Sequence, residues 1–163
     1  MSAPLLPTHF LTGQVALVTG ASRGIGAAIA AQLAARGASV ACIATKAENC
    51  AATVDACRTA LAEAGGEGRI EAYGVDVSDT AAVADLVTGV VKELGGLHLL
   101  VNNAGITRDQ LMLRMSEEDF DRVIGVNLKG AWNFCKAAAR TLMKSRGRIV
   151  NISSVVGLMG NAG

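Results

Sequence analysis

Three closely spaced glycines, Gly20, Gly24 and Gly26, follow a short apolar run, Val15–Val18. The run is β-branched at both ends, which is typical of a strand buried on both faces. Glycine has no Cβ, so the chain can turn tightly here and a phosphate can approach the backbone. The alanine-rich segment 25–36 predicts a helix whose N-terminus offers N–H groups and a positive dipole end to an anion. Because another strand follows this helix, the pattern favours a nucleotide site over a plain turn.

The end of the second predicted strand, 38–44, bears on which dinucleotide binds. Dinucleotide folds usually carry an acid here that binds the ribose 2′-OH and would repel a 2′-phosphate. Thr45 and Lys46 follow this strand instead, and Arg23 in the glycine turn adds positive charge. We therefore predict NADP(H) rather than NAD, the alternative being that both cations are solvated surface residues. The cofactor candidates in these two segments are Gly20, Ser22, Arg23, Gly24, Ile25, Gly26, Thr45 and Lys46.

Polar or small residues also follow the third, fourth and fifth predicted strands, at 69–75, 97–101 and 147–152. Ligands gather at the carboxyl ends of parallel strands, so these residues are expected at one edge of the sheet. They are Asp76 and Val77 after the third strand, Asn103, Ala104 and Gly105 after the fourth, and Ser154 after the fifth.

Two of these residues have competing interpretations. Asp76 lies with Ser78 and Asp79 near the start of a predicted helix, 79–94, where acids and caps are favourable. Ser154 could donate a hydrogen bond to a substrate carbonyl, although serine is also common in turns. No His or acid is spaced to make Ser154 a nucleophile, so a hydrolase is disfavoured.

A long helix is predicted from Glu117 to Ser145, because apolar residues recur there at three- and four-residue steps. Asn127 interrupts this apolar face. A buried amide is costly unless it is hydrogen-bonded. We therefore expect Asn127 to be buried at a polar site near the edge of the sheet.

Composition narrows the function classes. A net charge of +1 and an aromatic content of 3% disfavour nucleic-acid binding. No apolar run is long enough to span a membrane, and the N-terminus lacks the pattern of a signal peptide. The four cysteines show no metal or disulfide spacing, so we expect no metal site and a cytoplasmic protein. Residues 1–12 are expected to form a flexible tail.

Alternating strands and helices predict an α/β fold with a doubly wound parallel sheet of Rossmann type. Right-handed crossovers and the position of the glycine turn give the strand order 3-2-1-4-5. At 163 residues the chain forms one core, and residues 13–163 are expected to make one nucleotide-binding domain.

Four motifs together resemble the short-chain dehydrogenase/reductase family. They are Thr-Gly-x-x-x-Gly-x-Gly at 19–26, Asn-Asn-Ala-Gly at 102–105, Asn127 in the long helix, and Ile-Ser-Ser at 152–154. Segments 105–109, 111–115 and 157–161 are similar to the subgroup of 3-oxoacyl-acyl-carrier-protein reductases.

The resemblance implies NADPH-dependent reduction of a 3-oxoacyl thioester in fatty acid synthesis, by a homotetramer. It implies that Ser154 is catalytic, that Asn127 holds a water in a proton relay, and that Asp76 contacts adenine. Acetoacetyl-CoA, steroid and sugar ketones are the rival substrates within the family.

The sequence departs from the family pattern after Ser154. Members of the family carry Tyr-x-x-x-Lys about a dozen residues beyond the serine, whereas this sequence has none, and Tyr73 has no Lys four residues later. We therefore expect a fragment that reduces ketones very poorly alone, with part of its long helix uncovered and a tendency to self-associate. A non-catalytic nucleotide-binding module is the alternative.

Basic residues cluster where the long helix ends and the fifth strand begins. Acyl carrier proteins are acidic, so a basic rim would steer such a partner, and Lys144 and Arg146 are the candidate docking residues. The alternative is a solvated helix end, where cations suit the dipole. The cluster comprises Arg140, Lys144, Arg146 and Arg148.

Overall fold

A computed structural model describes residues 9–160, with five parallel strands in one sheet. The order is β3-β2-β1-β4-β5, which confirms the predicted fold class and strand order. The strands are β1 (Val15–Thr19), β2 (Ser39–Ala44), β3 (Ile70–Gly74), β4 (Leu99–Asn102) and β5 (Arg148–Asn151).

Helices connect the strands and cover both faces of the sheet. Two short 3-10 turns, Ala47–Cys50 and Met112–Arg114, precede α2 and α4, and a π-helical stretch, Ile124–Lys129, joins α4 to α5. The helices are α1 (Gly24–Ala34), α2 (Ala51–Glu63), α3 (Thr80–Leu94), α4 (Glu117–Val123), α5 (Gly130–Ser145) and α6 (Val156–Met159).

The central strands are buried on both sides. Successive side chains of a strand point to opposite faces, so Val40 and Cys42 of β2 pack in the core formed with α1 and α2. Ala41 and Ile43 pack in the second core, formed with α3 and α5. Every residue of β1 is buried as well, which explains why this strand is a continuous apolar run.

The long predicted helix is present as a continuous helical segment, but its apolar face is divided. Phe134 and Ala138 in α5 are fully buried against the sheet and α3. Phe120, Leu128 and Trp132 are instead about half exposed or more. The apolar periodicity therefore predicted the helix correctly, and these exposed side chains agree with the expectation that part of it is uncovered.

The two margins of the described chain differ from its centre. The predicted N-terminal tail lies mainly in residues 1–8, outside the described residues. Within the described part, Leu11 N donates to Arg36 O at 3.0 Å and Thr12 N donates to His9 O at 3.2 Å.

At the sheet edge, all four residues of β5 are exposed. Among residues 9–160, no helix combines the length and apolarity needed to cross a membrane.

Candidate functional site

A long groove runs along the carboxyl ends of the strands, where the glycine turn, the β3–α3 loop and the β4 turn meet. One half has a volume of about 1110 Å³, which is at the upper end of ligand pockets. The other half begins at the β4 turn and extends to the residues after β5. Arg23, Ile25 and Val77 line both halves, so the groove is continuous.

The glycine turn has the backbone geometry that its sequence predicts. Gly20 and Gly24 have φ values of 65° and 58°, a region in which side chains with a Cβ are strained. A Cβ on Gly26 would collide with Gly20 O and would lie 2.5 Å from Asn103 Nδ2. Gly26 therefore lies beneath the turn and lets α1 pack closely on it, instead of lining the groove.

The N-terminus of α1 faces this groove with its N–H groups available. Arg23 is the N-cap residue, and its side chain makes no capping hydrogen bond. The first turn of α1, which lies wholly within the described residues, contains no acid. An anion placed there would accept the N–H bonds and meet the positive end of the helix dipole.

A hydrogen-bonded lock joins the ends of β1 and β4 below the turn. Thr19 Oγ1 accepts from Asn103 N and Ala104 N, each at 3.0 Å, and donates to Val101 O at 3.4 Å. In return Asn103 Nδ2 donates to Thr19 O at 3.0 Å and Gly20 O at 3.2 Å. The lock fixes the glycine turn relative to the β4 turn.

Asp76 lines the groove but does not cap α3. It lies in the groove wall after β3, and Asp79, not Asp76, caps α3 by accepting from Ala81 N and Ala82 N at 3.0 Å. Asp76 Oδ1 accepts from Ser78 Oγ at 2.7 Å and Ser78 N at 2.9 Å. These two bonds, the hydroxyl first, hold the pKa of Asp76 below its ordinary value. Its carboxylate is therefore ionised and aligned.

The end of β2 matches the expected lack of negative charge. Thr45 lines the groove and accepts from Asn49 Nδ2 at 3.3 Å. Lys46 is exposed next to it but does not line the groove. The acids Glu118 and Asp121 lie on another part of the wall, in α4.

Asn127 and Ser154 both lie in the second half of the groove. Asn127 is exposed, so the expected burial is wrong, because the adjoining helical face is uncovered. Both polar atoms of its amide are nevertheless hydrogen-bonded, since Oδ1 accepts from Ile106 N and Nδ2 donates to Ile106 O, both at 2.9 Å. The π-helical stretch that carries Asn127 is a feature often found at functional sites.

Ser154 starts a turn after β5, at the far end of the second half of the groove. Its hydroxyl accepts from Val156 N at 3.3 Å, which leaves its proton free for another acceptor. Below it, Asn102 Nδ2 donates to Asn151 Oδ1 at 2.8 Å and ties the ends of β4 and β5. The serine is therefore presented on a fixed strand end.

The groove brings together every predicted cofactor residue except Gly26 and Lys46. Sequence reasoning missed Thr19, although a hydroxyl residue between a buried strand and the first glycine was a usable signal. It also missed Arg108 and Arg122, which line the first half of the groove, because isolated arginines in an irregular segment and an exposed helix carry no periodic signal.

The parallel sheet, the glycine turn and the serine after β5 are an arrangement typical of the short-chain dehydrogenase family. The family model described as "short chain dehydrogenase" matches residues 14–163, and the chain belongs to this family.

Two proteins similar to this chain are 3-oxoacyl-acyl-carrier-protein reductases. FabG of Escherichia coli is 45% identical over 152 residues, covering 93% of this chain and 59% of FabG. FabG of Thermotoga maritima is 44% identical, covering 94% of this chain and 60% of that protein. A solved structure from Sinorhizobium meliloti, a proposed short-chain alcohol dehydrogenase, has a TM-score of 0.85 and 39% identity, covering 96% of this chain and 60% of that one. The chain thus spans about three fifths of the length of these relatives.

The bond from Ser78 to Asp76 generates a testable prediction. Ser78→Ala removes the hydroxyl but keeps the backbone N–H, so the pKa of Asp76 should rise part of the way to its ordinary value of about 3.9. A carboxyl whose pKa is lowered in the folded state stabilises the fold fully when the pH is above its ordinary pKa. This contribution is lost as the pH falls through the lowered, folded-state pKa. The variant should therefore lose less stability than the parent protein as the pH falls below about 4.

Carbon-13 NMR titration of the Asp76 carboxyl measures this shift directly. Ser116→Ala is the matched control, because Ser116 caps α4 and makes no bond to Asp76. An Asp76 titration that is identical in the parent and in Ser78→Ala would show that the hydroxyl is not the cause.

Proposed function

We propose that this chain forms the cofactor-binding part of an NADPH-dependent ketoreductase. The reaction is reduction of a 3-oxoacyl thioester, carried on acyl carrier protein, to the 3-hydroxyacyl form in fatty acid synthesis. The observation that carries the proposal is the continuous groove, which has a helix N-terminus for phosphate at one place and a free serine hydroxyl at the other end. The two reductase relatives support the choice of substrate.

The residues around the groove fit NADP(H). The pyrophosphate would bind at the glycine turn and the α1 N-terminus, where N–H groups are available. Arg23 is exposed in the groove, and Thr45 replaces the acid that would repel a 2′-phosphate. Asp76 and Val77 would flank the adenine, while Asn103, Ala104 and Gly105 would flank the nicotinamide half.

NADPH supplies a hydride, and the residues of this chain orient the acceptor. We assign to Ser154 a hydrogen bond from its hydroxyl to the substrate carbonyl, which would favour charge developing on that oxygen. We assign to Asn127 the holding of a water, through the Ile106 carbonyl that it fixes. No Tyr-x-x-x-Lys occurs in the 163 residues, so we assign orientation, not the complete reduction, to this chain.

A second candidate function is a nucleotide-binding module without catalysis. It needs only the groove walls and the uncapped N-terminus of α1, which the described residues supply. Both candidates require binding of a dinucleotide in the groove, and they differ in whether Ser154 affects turnover in a longer form of the protein.

Exposed side chains of the segment from α4 to α5 favour two kinds of partner, which are a second copy of this chain and an acidic carrier protein. Phe120 of α4, Leu128 of the π-helical stretch and Trp132 of α5 are large apolar residues that are exposed, and we propose that they belong to a homo-oligomer interface. Lys144 and Arg146 are exposed near the α5 C-terminus, and no acid occurs after residue 122. We propose that this basic end docks an acidic carrier protein, in the cytoplasm where fatty acid synthesis would place both.

The cofactor proposal predicts selective loss of NADPH. Arg23→Ala should weaken NADPH binding by about 1.5 to 3 kcal/mol, the value of a charge-assisted hydrogen bond, and should affect NADH much less. Lys46→Ala should have a smaller effect, because Lys46 does not line the groove. Fluorescence titration with both cofactors measures this, with Arg36→Ala at the opposite end of α1 as control. Equal weakening of NADPH and NADH by Arg23→Ala would contradict the assignment.

The serine proposal predicts loss of turnover without loss of stability. In a form of the protein that spans the full length of the reductase relatives, Ser154→Ala should lower kcat about a hundredfold or more. The melting temperature should change little, since Ser154 is exposed and accepts one weak bond. Ser153→Ala is the matched control, because Ser153 is an exposed neighbour in the same half of the groove. An unchanged kcat in Ser154→Ala would favour the binding module.

The docking proposal predicts a salt-dependent loss of carrier binding. Reversing Lys144 and Arg146 to Glu should slow association with acyl carrier protein roughly tenfold at low salt, because steering by the basic rim is lost. Surface plasmon resonance measures this rate, and Lys92→Glu in the last turn of α3 is the control. Equal slowing by the control would show that only net charge matters.

A further inference from the structure

Asn133 is the most buried polar side chain of α5, and it reaches the loop that leaves β3. It is 2% exposed, and its Nδ2 donates to Val77 O at 2.8 Å. Its Oδ1 accepts from Thr80 Oγ1 at 3.0 Å. The Asn133 amide thus connects α5 both to the β3–α3 loop and to the first turn of α3.

A second contact presses the same helix against the same loop. A Cβ added to Gly130 would lie 2.7 Å from Val77 Cγ2 and 3.1 Å from Val77 Cβ. Gly130 has an ordinary helical conformation, so glycine is needed here for space and not for its backbone freedom. The start of α5 therefore sits directly on Val77.

The loop between these contacts is one wall of the groove. Asp76, Val77 and Ser78 all line its first half, while Asn133 and Thr80 do not. A buried amide with both ends paired to a loop and a helix has a defined position, and each lost partner leaves a buried polar atom unsatisfied.

We infer that Asn133 and Thr80 are positioning residues for cofactor binding, which hold Asp76 and Val77 where the adenosine part of the dinucleotide would lie. The inference rests on the proposed function, because the groove must bind a dinucleotide for the wall to matter. Neither residue touches the ligand. They act through the Val77 carbonyl and through the start of α3.

Thr80→Val provides the sharpest test, because it replaces one hydroxyl by a methyl group and keeps the shape. NADPH and 2′,5′-ADP binding are measured by titration on the full chain. We expect the dissociation constants of both ligands to rise about fivefold or more, the factor that corresponds to one moderate interaction. Thr80→Ser restores the hydroxyl and should return both constants to within about twofold of the parent.

Val90→Ala separates positioning from general destabilisation. Val90 is a fully buried residue of α3 in the same core as Phe134, and it lies about three helical turns beyond Thr80. Its loss should lower the melting temperature at least as much as Thr80→Val and leave ligand binding unchanged. Asn133→Leu, if it folds, should weaken binding more than Thr80→Val, since it removes both bonds.

The outcomes separate the inference from the proposed function. A parent chain that binds neither NADPH nor 2′,5′-ADP overturns the proposed function. A parent chain that binds both, with Thr80→Val binding equally well, overturns the positioning role alone. Equal weakening by Thr80→Val and Val90→Ala also overturns it, because binding would then follow stability only.

Discussion

The hydroxyl of Thr19 is the contact on which the architecture of the groove depends. Between β1 and β4 the strand order changes direction, so the chain leaves these neighbouring strands toward opposite faces of the sheet. At such a point the turn N–H groups lose their ladder partners, and a buried N–H without an acceptor is costly. Thr19 accepts two of them, from Asn103 and Ala104. The Thr19 hydroxyl thereby pairs both N–H groups at the floor of the crevice and fixes the ends of β1 and β4 relative to each other.

The two walls of the crevice are supported differently. The glycine turn is supported from below, where Gly26 packs against Gly20 and the Asn103 side chain donates to Thr19 O and Gly20 O. The opposite wall is supported by a side chain, because Asn133 reaches from α5 to the Val77 carbonyl. The N-terminus of α1 is thus left without a side-chain cap, while Asn103 and Asn133, which support the two walls, are hydrogen-bonded to backbone carbonyls.

Apolar periodicity located the strands and helices, because it is a local pattern. The right-handedness of crossovers and the position of the glycine turn then predicted the sheet order and most of the groove. The burial of Asn127 was not predictable, since periodicity shows which residues share a helical face but not whether another element covers it. Lys46 shows the same limit, because a position next to the strand end does not determine where its side chain lies. Asn133 gave no signal at all: it follows Trp132 in an ordinary helical pattern, and its partners Val77 and Thr80 are more than fifty residues earlier in the chain.

The π-helical stretch Ile124–Lys129 has a consequence for the phase of the whole segment. A π turn accommodates one residue more than an α turn, and one residue corresponds to about 100° of rotation around the helix axis. The side chains of α4 are therefore rotated relative to those of α5 compared with an uninterrupted helix. This offset lets Asn127 turn toward Ile106 while Phe134, seven residues later, points into the core. The segment thus presents Asn127 to the groove and packs Phe134 in the core, although both residues belong to one continuous helical stretch.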